Sequence, residues 1–76
     1  MNKPRRKTLQ EIYNKLDELK ALLEEVKDEE EEYRDNIPEN LQGSERYEKA
    51  DEACDNLDSA ISSLEDTLEY IESAAE

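Results

Sequence analysis

Twenty-three carboxylates, four phenols and a single thiol are the groups of this 76-residue chain that could take part in chemistry; it has no histidine. A histidine-based triad and a histidine metal ligand are therefore excluded. Carboxylates alone can pair as general acid and base, or converge four at a time to hold a di-iron centre between helices. The densest run, Glu29-Glu30-Glu31-Glu32, points around all sides of a helix, because consecutive residues are about 100° apart. No Asp-x-Asp-x-Asp-Gly calcium loop is present. Cys54 falls on a recurring apolar stripe, which marks it as a packed thiol rather than a nucleophile. A lone cysteine also leaves no intramolecular disulfide, as expected in a reducing cytosol. The expectation is a protein that is not an enzyme, with no catalytic residue, cofactor or metal.

The elements that carry these groups are legible from apolar spacing. Hydrophobic residues are 34% of the chain and charged residues 43%, too polar for a large core but suited to helices with a narrow apolar seam. Leu9, Ile12, Leu16, Leu19, Leu23, Val26, Glu30, Tyr33 and Ile37 follow alternating steps of three and four. Tyr47, Ala50, Cys54, Leu57, Ile61, Leu64, Leu68, Ile71 and Ala75 do the same. Each is an a/d heptad run. Between them lies Asn36–Ser44, with the only glycine and one of two prolines. The fold class predicted is all-α, an antiparallel two-helix coiled-coil hairpin. Residues 1–7 (Met-Asn-Lys-Pro-Arg-Arg-Lys) read as a basic flexible tail. The first helix is expected over about 8–36, opened by the capping box Thr8-Leu9-Gln10-Glu11, although Pro4 also suits an extra first turn. The bend is expected over 37–43, with Gly43 left-handed. The second helix follows over about 44–75, capped by Ser44.

Centring the bend near Asn40 pairs Leu9 with Ile71, Leu16 with Leu64, Leu23 with Leu57, Glu30 with Ala50 and Tyr33 with Tyr47. On one flank Lys20 then faces Asp58 and Lys27 faces Asp51. On the other flank the second helix offers Ala53, Ala60, Thr67 and Ala74, near Leu22 of the first. Small residues at seven-residue spacing let another helix approach, and one seam is marginal against the entropy of ordering some seventy residues. A homodimer is therefore expected, a four-helix bundle packed through Leu22, Ala53, Ala60, Thr67 and Ala74. Tyr70 is expected to point outward, a possible partner contact.

Net charge is -13, and from Thr8 onward 23 acidic residues face 6 basic ones. Such a balance disfavours direct nucleic-acid binding and anionic membranes. No apolar run approaches a transmembrane span, and the basic start is followed by no signal-peptide segment. The exposed acids Glu24, Asp28, Glu31, Glu32, Asp55, Asp66 and Glu69 are the candidate partner-binding surface. An acidic rod of this kind can occupy a basic nucleic-acid groove; the plainer role of the acids is to keep a thin rod soluble.

Asp35-Asn36-Ile37-Pro38-Glu39-Asn40-Leu41-Gln42-Gly43-Ser44-Glu45-Arg46-Tyr47-Glu48, followed by Asp55-Asn56-Leu57-Asp58-Ser59-Ala60-Ile61, resembles a group of small acidic proteins with an N-[LI]-P-E-x-L-Q-x-S-E-R pattern. They are encoded by phages and mobile elements of Gram-positive bacteria. The resemblance covers roughly the second half of the chain. It implies a setting, the bacterial host cytosol, and with the acidity it points to an inhibitor that binds a basic nucleic-acid-binding protein. The alternative is a coiled-coil oligomerisation or assembly factor. In the motif, Ser44 would cap the second helix while Arg46 reaches Asp35 or Glu39.

Overall fold

The computed structural model describes all residues, 1–76, as two long helices joined by a short bend. Helix α1 spans Lys3–Asp35 and α2 spans Glu45–Ala75, with a 3-10 turn at Glu39–Leu41 between them. The helices pack side by side as an antiparallel hairpin, 59 Å long and 15 × 12 Å across.

The first helix begins earlier than the capping box suggests, so residues 3–7 are its first turns and not a tail. Asn2 is the N-cap, its side-chain oxygen accepting from the Arg5 amide at 2.9 Å, and Pro4 sits in the first turn. Proline there forfeits only an amide that has no helical partner anyway. Thr8, expected to cap, instead lies inside the helix, and its hydroxyl donates to the Pro4 carbonyl at 3.1 Å. Four cations near a helix N-terminus oppose the helix dipole by only tenths of a kcal/mol each, and Arg and Lys are otherwise good helix formers.

The bend is built as its residue types require, with one exception. α1 closes at Asn36, whose amide donates to the Glu32 carbonyl at 3.0 Å. Pro38 is extended (φ -56°, ψ 145°). The Leu41 amide then donates to the Pro38 carbonyl at 2.8 Å, and the Ser44 amide to the Leu41 carbonyl at 3.0 Å. Ser44 Oγ accepts from the Tyr47 amide at 3.4 Å, and Glu45 and Glu48 lie in the first turn beside the positive helix end. Gly43, however, does not adopt positive φ. The 3-10 turn reverses the chain without a left-handed residue.

The core is a single seam, slipped from the expected register. On α1 the covered positions are Leu9, Tyr13, Leu16, Lys20, Leu23, Lys27, Glu30, Glu31 and Arg34, with Ile37 following just beyond the helix. On α2 they include Tyr47, Ala50, Cys54, Leu57, Ile61, Leu64, Leu68, Ile71 and Ala75. Taken in reverse along α2 the two sets match throughout: Ile37 lies level with Tyr47, Arg34 with Ala50, Glu30 with Cys54, Leu23 with Ile61. Relative to the expected pairing, α1 is displaced by four residues, which also rotates its inner face by about 40°. Two effects favour the slip. Ile37 becomes a final apolar layer, only 3% exposed. Lys20, Lys27 and Arg34 move to the seam edge, where their stems cover apolar neighbours while their charged ends reach acids. The cost is that Ile12, Leu19, Val26 and Tyr33 turn outward, 42–53% exposed.

Candidate interaction surface

The two long edges of the hairpin differ in chemistry. One carries a ladder of cross-helix ion pairs. Lys20 Nζ lies 3.7 Å from Glu65 Oε1, Lys27 Nζ 2.5 Å from Asp58 Oδ1, and Arg34 Nη1 donates to Asp51 Oδ1 at 3.0 Å. Each pair lies one heptad further along α2 than the register from sequence implies. Lys27 also reaches Glu31 at 3.5 Å and Arg34 reaches Asp35 at 3.1 Å. Hydrogen bonding to Asp58, ahead of the opposing effect of burial, holds the Lys27 ammonium above its usual range. Arg34 is raised chiefly by Asp35, with Asp51 contributing. Tyr13 continues the ladder at the open end, its phenol pushed up by hydrogen bonding toward Glu72 and then by burial.

The opposite edge is apolar. Ile12, Leu19, Leu22, Val26 and Tyr33 of α1 are 42–55% exposed there. Of the residues expected to pack against another copy, Leu22, Ala60, Thr67 and Ala74 are exposed and Ala53 is half-buried. Sequence reasoning placed Ile12, Leu19, Val26 and Tyr33 in the seam and so missed them on this edge. The signal that could have found them is that α1 carries two overlapping stripes one residue apart, Leu9/Tyr13/Leu16/Lys20 and Leu9/Ile12/Leu16/Leu19. Either can line a seam when lysine stems count as apolar.

At the bend, Arg46 does not reach Asp35 or Glu39. Its Nε donates to the Tyr33 hydroxyl at 2.7 Å, and its guanidinium carbon lies 5.3 Å from the ring centroid. The expected pairing of Tyr33 with Tyr47 is replaced by this contact, because the slip sets Tyr47 beside Ile37 instead.

The acidic candidates lie on the outer surfaces. Asp28, Glu32, Asp55, Asp66 and Glu69 are exposed. Glu24 and Glu31 are partly neutralised by ion pairs with Lys20 and Lys27 at 3.8 Å and 3.5 Å. The net charge of -13 along 59 Å amounts to about one charge per 4.5 Å, sparser than the ~1.7 Å of duplex DNA. The basic first turns lower that average, and the segment beyond them is denser. Tyr70 stands out at 76% exposed.

Cys54 is buried in the seam, and burial, outweighing Arg34, pushes its thiol up, away from the reactive thiolate. No three acidic or thiol side chains converge as a metal site requires. The concave places on the surface are shallow and lie between neighbouring side chains of the first α1 turns, such as Lys3, Pro4, Arg6 and Lys7. No helix is long and apolar enough to cross a membrane. Comparison with protein-family models, curated proteins and solved structures finds no match to the chain.

Proposed function

We propose that this hairpin is a non-enzymatic, acidic protein-interaction module that acts as a homodimer and binds the basic nucleic-acid-binding surface of a host protein. The observation that carries this reading is the distribution of charge. Acids such as Asp28, Glu32, Asp55, Asp66 and Glu69 stand exposed along both helices, and after Lys49 no cation remains in the chain. Of the cations beyond Thr8, Lys20, Lys27, Arg34 and Lys49 are already engaged by the chain's own acids. The outward potential is thus negative along the rod, the complement of a groove that normally holds phosphates. The resemblance in the bend and α2 supports a phage or mobile-element inhibitor in a bacterial cytosol.

The test is recovery of the bound host protein, followed by competition with duplex DNA and a salt titration. Displacement by DNA and loss of binding between low and moderate salt is the expected result, because exposed charges are screened beyond about 10 Å at 0.1 M. A complex that DNA does not displace and that survives high salt overturns the charge-mimic reading. The exposed apolar edge favours a second reading, a coiled-coil assembly factor without charge mimicry. Under that reading, Ala60→Glu would abolish function while neutralising Asp28, Asp55 and Asp66 would not.

A further inference from the structure

We infer that the apolar edge is covered by a second copy of the chain running antiparallel, so that the bends lie at opposite ends of the dimer. This rests on the homodimer proposed above and assigns its orientation.

The exposed apolar residues of α1 are Ile12, Leu19, Leu22, Val26 and Tyr33. Their spacing is nearly unchanged when the helix is reversed about Leu22–Leu23: Ile12 then falls level with Tyr33, and Leu19 with Val26. An α1 stripe can therefore meet its reversed copy along about six turns and bury on both sides what the hairpin leaves open. A stripe can meet a parallel copy equally well, so apolar matching does not decide the direction.

Charge decides it. Residues 1–7 at the open end carry Lys3, Arg5, Arg6 and Lys7 and no acid. Residues 28–35, next to the bend, carry Asp28, Glu29, Glu30, Glu31, Glu32 and Asp35 against the one cation Arg34. A parallel copy sets four cations against four and six acids against six. An antiparallel copy relieves both clashes: with Ile12 level with Tyr33, residues 3–7 fall level with the other copy's 42–38, where the one ionised residue is Glu39, and residues 28–35 fall level with 17–10, where Glu11, Lys15 and Asp17 lie. The first turns of α1 are helical and capped by Asn2, so these cations are held on a rigid extension at the level of the partner's bend. This gives the N-terminal segment a role that the hairpin itself does not: Lys3, Arg5, Arg6 and Lys7 make no ion pair within the chain.

The test uses the full chain with Cys54→Ser, carrying either Ile12→Cys or Tyr33→Cys, and a short bismaleimide. An antiparallel dimer gives a covalent product when the two variants are mixed, and little from either alone, since the two Ile12 positions lie about 30 Å apart from the rise of a helix. A covalent dimer from Ile12→Cys alone overturns the orientation and leaves the homodimer standing. A monomeric sedimentation mass for the unmodified protein overturns both, and the edge then belongs to another partner. A measurement that spares Cys54 is the triple variant Arg5→Gln/Arg6→Gln/Lys7→Gln. Its dimer is expected to dissociate a few-fold more readily, from the loss of exposed cations facing the acidic bend of the other copy. An unchanged or tighter dimer overturns the antiparallel arrangement.

Discussion

Arg34 Nη1 donates to Asp51 Oδ1 at 3.0 Å, tying the last turn of α1 to the second turn of α2. Together with Lys27–Asp58 and Lys20–Glu65 it defines a register that single substitutions would blur but charge exchange can read. Lys27→Asp should lower the melting temperature by a few degrees, and adding Asp58→Lys should restore most of the loss. The exchange Lys20→Asp with Asp58→Lys should give no such recovery. Thermal unfolding followed by circular dichroism checks this; recovery in the second pair and not the first would return the hairpin to the unslipped register.

Ile37 is the apolar layer nearest the bend and is 3% exposed. Ile37→Ala should destabilise the hairpin by about 2–4 kcal/mol, the usual range for removing a buried aliphatic side chain. Leu19→Ala, at a site 53% exposed, should cost much less within one hairpin and act mainly on self-association. Urea unfolding at two protein concentrations separates the two effects.

Gly43 has no positive φ, and a Cβ added there would meet nothing within 4 Å. Gly43→Ala should therefore stabilise the protein by roughly 0.4–1 kcal/mol, by restricting the unfolded chain. A clear loss of stability would mean that the bend uses a left-handed residue after all.

Burial in the case of Cys54, and hydrogen bonding to Glu72 and Asp58 in the cases of Tyr13 and Lys27, raise all three groups above their ordinary values of 9.0, 10.0 and 10.5. For a raised group the folded state binds its proton more tightly than the unfolded state does. That contribution is whole below the ordinary pKa and disappears as pH rises through the folded one. The hairpin should therefore lose melting temperature progressively above about pH 9. Melts between pH 8 and 11 check this, and the Tyr13→Phe variant should show a shallower decline.

Two helices, the bend and the Ser44 cap were legible in the sequence because they rest on local signals: three-four spacing, a proline and a lone glycine. The start of α1 was legible in principle, since Asn2 followed by Pro4 is a capping signal as good as Thr8-x-x-Glu11. The basic residues between them drew attention to repulsion that is worth little on an exposed helix end. Register was not legible. Pairing by a/d positions assumes that lysines stay outside, yet Lys20 and Lys27 lie half-covered at the seam edge and Ile12 and Leu19 do not. Burying Ile37 and completing three ion pairs are gains that appear only when both helices are in place. On the candidate surface, the outward acids and Leu22 could be read from spacing. The wider apolar edge could not, because it is a product of the slip.

The nine-residue connection from Asn36 to Ser44 also sets an order in time. Closing so short a loop costs little entropy, so Ile37 and Tyr47 can meet before the rest of the chain has found its place. Each further layer then adds to a growing end, as teeth engage in a zip. The hairpin should therefore form quickly from the bend outward and come apart from the opposite end inward. The end that opens first is the one bearing Lys3, Arg5, Arg6 and Lys7, so whatever holds those cations also holds the zip shut.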